Sequence, residues 1–319
     1  MMNSKVMMMT ALAICGCSRM SEGVPAVEQE MVELSFNIPC QETTRASGSV
    51  SEEAVEDLQV YVFGLDGLLQ AYGHSEGSEL TLTCSTGDKR IAAIVNAPLR
   101  NNVVDEAGLM KLVSSFSENS LGRFVMSGIT DKTVSKAERV VLPVSRLVSK
   151  VILKSVKNDF EMQQHKAMDF VVKSVFLTNA AKDRKYMTSS APSGWYNDEY
   201  SDMQAVIAEA GNMMYESLGD RKVSDGATYE AGNFLYCYPN PLTGGASPTC
   251  LVVEASLGQT VYYYPVELPA MEANKCYSVS LTVCRPGSSS PDIPVEKVDA
   301  VFEVEVQPWS ENISVDEII

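Results

Sequence analysis

The chain has 319 residues, 45% hydrophobic and 21% charged, which excludes a disordered chain and leaves room for two domains of about 150 residues each. With 41 acidic against 25 basic side chains the formal net charge is −16, a surface that repels phosphate backbones and excludes nucleic acid as a natural partner. The same acidity keeps an exported protein soluble.

Lys5 precedes an apolar run from Val6 to Ile14, followed by Cys15, Gly16 and Cys17. A charged start, a short apolar stretch and small residues before a cut describe a secretory signal, too short to span a bilayer as a helix. The run Ile14-Cys15-Gly16-Cys17 resembles the bacterial lipobox, in which the cysteine after a small residue receives diacylglycerol and becomes the new N-terminus. Cys17 fits that position, with residues 1–16 as the signal peptide; Cys15 does not, because the bulky Ile14 precedes it. Ordinary signal cleavage near this point is the alternative. No later stretch reaches transmembrane length, so acyl chains would be the membrane attachment.

Met31 to Pro39 alternates, with Val32, Leu34, Phe36 and Ile38 on one face and Glu33, Ser35 and Asn37 on the other, which predicts a half-buried strand. A polar stretch, Gln41 to Glu53, has Arg45 in its middle. Leu58 to Phe63 reads as a strand, Asp66-Gly67 as a turn, and Leu68-Leu69 as the start of a second strand. Leu80, Leu82 and Cys84 alternate in another. Arg90 to Val95 is apolar on both faces, which predicts a central strand stopping at Asn96-Ala97-Pro98. Val104, Leu109, Leu112 and Val113 have helical spacing and predict one short helix within Val103 to Phe116. Val140 to Val156 returns to β character, and Lys157-Asn158-Asp159 reads as the seam between two domains.

The second half opens with a strand from Asp169 to Leu177. A long polar insertion follows, containing Trp195, Tyr196 and a helix from Met203 to Glu209; it reads either as displayed surface or as a solvated connection. From Asn233 onward strands and turns alternate: Phe234 to Tyr238, Leu251 to Ala255, Val261 to Leu268, then Tyr277, Val279, Leu281 and Val283 on one core face. Ala300, Phe302, Val304 and Val306 alternate in a last strand closed by Trp309. The pattern is that of a mainly β chain of two tandem β-sandwiches with a few short helices, with Phe63, Val95, Val151, Phe176, Tyr236 and Leu281 buried.

Chemistry is sparse. His74 and His165 are the two histidines, far from any cysteine cluster, and there is no C-x-x-C pair, so neither a zinc site nor a histidine-based catalytic centre is expected. No nucleophile elbow, P-loop or dinucleotide fingerprint occurs, and no cofactor is expected. Cys237 and Cys250 flank a Pro/Gly-rich hairpin loop and form the one pair expected to meet as a disulfide; Cys276 and Cys284 share a strand and lie too far apart. The run Tyr262-Tyr263-Tyr264 reads either as a sugar-stacking platform or as sandwich filler.

Taken in order along the chain, several stretches resemble the fimbrillin superfamily, the subunits of type V pili. In the first half these are the lipobox, Val32 to Ile38 followed by Thr44-Arg45-Ala46, Leu58 to Phe63 running into Asp66-Gly67, Ala93 to Pro98, Met126 to Gly128, and Ser145 to Val151. In the second half they are Val175 to Asn179, Tyr238 to Asn240, Tyr264 to Val266, Asn274 to Tyr277, Gly287 to Pro294, and Val304 to Trp309. The resemblance implies two transthyretin-like sandwich domains, 46–157 and 158–309, and outer-membrane delivery as a lipoprotein. It also implies polymerisation with other pilus subunits by strand exchange. An arginine-specific protease would cut between Arg45 and Ala46 and free the segment 17–45 with its strand residues Val32, Leu34, Phe36 and Ile38. The tail 310–319, with Ile313 and Val315 alternating, would be the donor strand; it is shorter and more acidic than a strongly apolar donor. The expected function is a non-enzymatic stalk or tip subunit; a monomeric glycan-binding surface lipoprotein and the anchor subunit of the same pilus are the alternatives.

Overall fold

The computed structural model describes residues 30–39, 52–211, 213–295 and 299–309. The first half contributes β1 (Met31–Asn37), β2 (Asp57–Phe63), β3 (Leu69–Glu76), β4 (Glu79–Ser85), β5 (Gly87–Val95), helix α1 (Glu106–Leu109), β6 (Val113–Ser115), β7 (Met126–Val134), β8 (Glu138–Val141) and β9 (Ser145–Arg146). Next come β10 (Ser149–Asn158), α2 (Gln163–Lys166), β11 (Phe170–Thr178), β12 (Ala180–Ala181), β13 (Asp183–Lys185), β14 (Trp195–Tyr196) and α3 (Met203–Ala210). The chain continues through β15 (Tyr215–Lys222), β16 (Thr228–Cys237), β17 (Cys250–Leu257), β18 (Thr260–Glu267), β19 (Lys275–Val283) and β20 (Ala300–Pro308).

A three-stranded sheet, β4-β1-β8, packs on a five-stranded sheet, β3-β2-β5-β7-β9. Val32, Leu34, Phe36 and Cys84 of the first meet Val60, Val62, Ile91 and Ala93 of the second in one apolar core. The five-stranded sheet is apolar on its other face as well, where Tyr61, Phe63, Ala92 and Ile94 join a larger core. Two buried faces explain why Arg90 to Val95 lacks a polar alternation. The larger core continues between the sheets β16-β10-β19-β20 and β15-β11-β17-β18, with Val151, Val279 and Leu281 opposite Val175, Val253 and Tyr264. Helix α3 covers the outer face of the latter sheet, setting Val206 against Phe176, Val252 and Tyr263. Its start is fixed by Asp202, whose side chain accepts from the Ala205 amide at 2.9 Å. Phe63, Val95, Val151, Phe176, Tyr236 and Leu281 are all buried.

The stop after β5 has a clear cause. Asn96 adopts a left-handed conformation (φ 56°) that ends the strand, and its buried side chain ties three backbone groups. It accepts from the Glu56 amide at 2.9 Å and donates to the Ala54 and Phe124 carbonyls at 2.7 and 3.0 Å.

Several sequence expectations need correction. The expected helix within Val103 to Phe116 shrinks to the four residues of α1. Asp105 caps it through the Gly108 amide, and the chain then pairs β6 with β13, so backbone hydrogen bonds that a longer helix would use go to a strand instead. Lys157 and Asn158, where a seam between domains is expected, end β10, which pairs with β16 and β19, and the chain passes from one sheet to the next between Arg146 and Ser149; this pairing by itself draws no domain boundary. The polar insertion is a brace: β13 pairs with β6, and Tyr186 is buried with its hydroxyl on Glu118. In β20, Ala300 is buried and Phe302 and Val304 are half-buried, but Val306 is exposed because β20 is an edge strand and its end runs out over solvent.

Candidate functional site

β1 is the middle strand of its sheet. It runs antiparallel to β4 over seven residue pairs, from Met31 with Ser85 to Asn37 with Glu79, and parallel to β8 from Leu34 with Glu138 to Asn37 with Val141. Further backbone bonds extend the seam: Thr86 donates to Glu30 at 2.8 Å, Ile38 to Ser78 at 3.0 Å and Leu142 to Asn37 at 3.0 Å. Its inward side chains are almost fully covered, Val32 8% exposed, Leu34 0%, Phe36 1% and Ile38 3%. The outward face makes polar contacts, Ser35 with Thr81 at 3.2 Å and Asn37 donating to Glu79 at 3.2 Å, which contribute little at the surface.

β4 and β8 pair with β1 and not with each other. Without β1, two strands would each present an unpaired edge to a slot floored by the five-stranded sheet. Burial of four such side chains stabilises the seat by roughly 6–12 kcal/mol as an upper range. Cys84 marks one end of the slot, directly across from Val32 and 1% exposed. Burial pushes its thiol pKa up, so it is unreactive while β1 is in place.

Cys17, Arg45, Ala46, Ile313 and Val315 lie outside the described residues. Cys237 and Cys250 are both free thiols, standing in different sheets on β16 and β17, so the expected pair is not formed. Burial pushes them up, to about 12 and about 11.

Glu52, shortly after Arg45 in sequence, and Trp309, just before the tail, meet. Glu52 accepts hydrogen bonds from Tyr236 Oη at 2.5 Å, Lys150 Nζ at 2.9 Å and Trp309 Nε1 at 3.0 Å. Arg146 donates to the Glu52 carbonyl at 3.0 Å, to Glu53 at 2.6 Å and to Asn274 at 3.1 Å, and its guanidinium lies 4.6 Å from the Trp309 ring centroid. Burial pushes the Glu52 carboxyl up, but the hydrogen bonds from Tyr236, Lys150 and Trp309 and the Lys150 charge outweigh it and hold the group below the usual carboxylate range. Its stabilising effect is therefore complete above the unfolded value of about 4.3 and is lost only as pH falls through the lower folded one. Nothing in the residue pattern points to this cluster beyond the separate motifs holding Arg146, Lys150, Asn274 and Trp309.

Among the described residues no group of three or more His, Cys, Asp and Glu side chains is placed to hold a metal. Glu118 receives bonds from Arg100, Ser114 and Tyr186, a saturated brace and not a poised base. Tyr263 and Tyr264 are buried and Tyr262 is half-buried, so the tyrosine run fills the core and does not form an open stacking face.

No protein-family model and no curated protein matches the chain. Solved structures match most of its length. A candidate cell adhesion protein from Bacteroides eggerthii aligns over 88% of this chain and 97% of that one, with a TM-score of 0.65 and 16% identity. A fimbrilin from Porphyromonas gingivalis aligns over 87% and 97%, with 0.62 and 13%. The tip fimbrial protein Mfa3 from Porphyromonas gingivalis, truncated at its C-terminus, aligns over 88% and 100%, with 0.53 and 14%. At such identities the likeness is one of fold: the chain has the mainly β, fimbrillin-like fold.

Proposed function

We propose that the chain is a structural subunit of a cell-surface pilus, in the stalk or at the tip, which assembles by strand exchange and contributes to adhesion without catalysis. The observation that carries this reading is the seat of β1. The strand fills the middle of a sheet and, with Ile38, supplies four of the buried side chains of its core, yet it joins the rest of the chain covalently only through residues 40–51, where Arg45 lies. In this reading Cys17 is acylated and anchors the precursor to the outer membrane. An arginine-specific protease then cuts after Arg45, β1 leaves, and the tail of a neighbouring subunit, with Ile313 and Val315, fills the slot. Strand addition gains ladder hydrogen bonds and apolar burial together, and neither gain is available while β1 is seated. The two sandwiches divide between Arg146 and Ser149.

Arg45→Ala is expected to give a folded, lipidated monomer that cannot accept a neighbour, and removal of residues 310–319 a processed subunit that accepts but cannot donate. Mixed under processing conditions, the two should complement in one direction. Heat-resistant ladders on gels report polymer. Normal ladders from both variants would contradict strand exchange and favour the monomeric glycan-binding lipoprotein; loss with Arg45→Ala alone would assign an end subunit, such as the anchor.

A further inference from the structure

Three sequence motifs left unused by the strand-exchange reading converge around Glu52, two by direct bonds and the third through Arg146 and Trp309. Arg146 and Lys150 come from Ser145 to Val151, Asn274 opens Asn274 to Tyr277, and Trp309 ends Val304 to Trp309. Glu52 lies seven residues after Arg45, and Trp309 immediately precedes the tail 310–319. We infer that Glu52, seated on Lys150, Tyr236 and Trp309, is a clasp that fastens the start of the processed body and the root of the tail to one platform, and so positions the tail for donation. The positioning role rests on the strand-exchange reading; the fastening does not.

The geometry supports a fastening that holds both ends at once. A cut after Arg45 leaves only residues 46–51 ahead of the clasp, so β1 can depart while the new N-terminus stays attached. On the other side Trp309 is 7% exposed, stacks on Tyr236 at 5.7 Å and meets Phe124 edge-on at 5.8 Å. Its backbone amide donates to the Asn274 carbonyl at 3.1 Å, the same residue whose side chain receives Arg146. Trp309 Nε1 has one acceptor in this arrangement, the Glu52 carboxylate, whose other oxygen holds Lys150 and Tyr236. Charge-assisted bonds of this kind are stronger than neutral ones, and partial burial of Lys150 and Arg146 strengthens them further. A tail whose root is already ordered has less freedom to lose on entering a neighbour, which is how preorganisation speeds and tightens association.

Two variants keep the shape and remove one side of the bond: Glu52→Gln and Trp309→Phe. Hydrogen exchange on the full, unassembled chain should rise about tenfold in residues 300–309 and 52–57 together, with β1 and β11 unchanged. Unchanged exchange at both ends overturns the clasp. Donation is read by mixing. Processed Glu52→Gln subunits that also lack 310–319 can only accept, from Arg45→Ala subunits whose slots are filled, and Arg45→Ala subunits that also carry Glu52→Gln can only donate, to processed subunits lacking 310–319. Acceptance at the wild-type rate and donation about tenfold slower is the expected pair of results. Equal rates in the two mixtures overturn the positioning role. If the wild-type chain assembles in neither mixture, strand exchange fails and the positioning role with it, while the exchange data still decide the fastening.

Discussion

Leu34→Asp in the full chain is expected to unseat β1 while the rest of the protein stays folded. Leu34 is fully buried in the middle of the slot, among Val62, Ile91 and other apolar side chains, while the buried Lys89, which acts on Cys84 at the end of the slot, is engaged by the Thr86 carbonyl at 3.1 Å. The substitution loses about 1.5–3 kcal/mol of burial and adds the cost of a buried carboxyl, so about 4 kcal/mol or more is removed from the seat. β1 is joined to the body only through residues 40–51, so the strain is relieved by departure of the strand and not by global unfolding. Cys84 reports it: native-state thiol labelling should accelerate roughly a thousandfold, as about 4 kcal/mol implies. Glu33→Ala, on the exposed face of the same strand, should leave Cys84 protected. Continued protection of Cys84 with Leu34→Asp would show that β1 is not a separable element.

The second large effect concerns Gly128 in β7. A Cβ added there would lie 1.9 Å from the Pro143 carbonyl oxygen and 3.2 Å from Val144 Cα. Both obstacles are backbone, in the link from β8 to β9, and cannot rotate away. Gly128→Ala should therefore cost about 3 kcal/mol or more, at the upper end for overpacking, and lower the melting midpoint by about 6–12 °C. Because the displaced link carries β8, the parallel edge of the slot, Cys84 labelling should rise as well. A midpoint within 2 °C of wild type, on the order of 1 kcal/mol or less, would mean that the crossing is looser than the structure has it.

Period-two alternation made β1 legible, since Val32, Leu34, Phe36 and Ile38 face one core and their neighbours face solvent. The apolar run of β5 was legible as a central strand for the same reason, read on two faces. Sheet membership was not: nothing in Ser149 to Asn158 says that its partners lie in β16 and β19, because alternation fixes which side chains face inward and not which strand lies alongside. The short helix α1 failed on a similar ground, since pairing of β6 with the distant β13 overrides local spacing. The clasp was hidden most completely. Glu52 sits in a polar stretch, and its side-chain partners lie 98, 184 and 257 residues away.

Assembly by exchange of β1 can be tested with a reversible lock. Val32 and Cys84 are directly paired across β1 and β4, and the bonds from Thr86 to Glu30 and from Ile38 to Ser78 place them at a hydrogen-bonded position of the ladder. Their Cα atoms are then about 5.5 Å apart, inside the disulfide range of about 4.4–6.8 Å. In Val32→Cys, oxidation should tie β1 into its slot. Subunits cut after Arg45 should then remain monomeric, as read by heat-resistant ladders, and should assemble like the unlocked chain once a reductant is added. Equal assembly of the oxidised and reduced forms would contradict the exchange of β1.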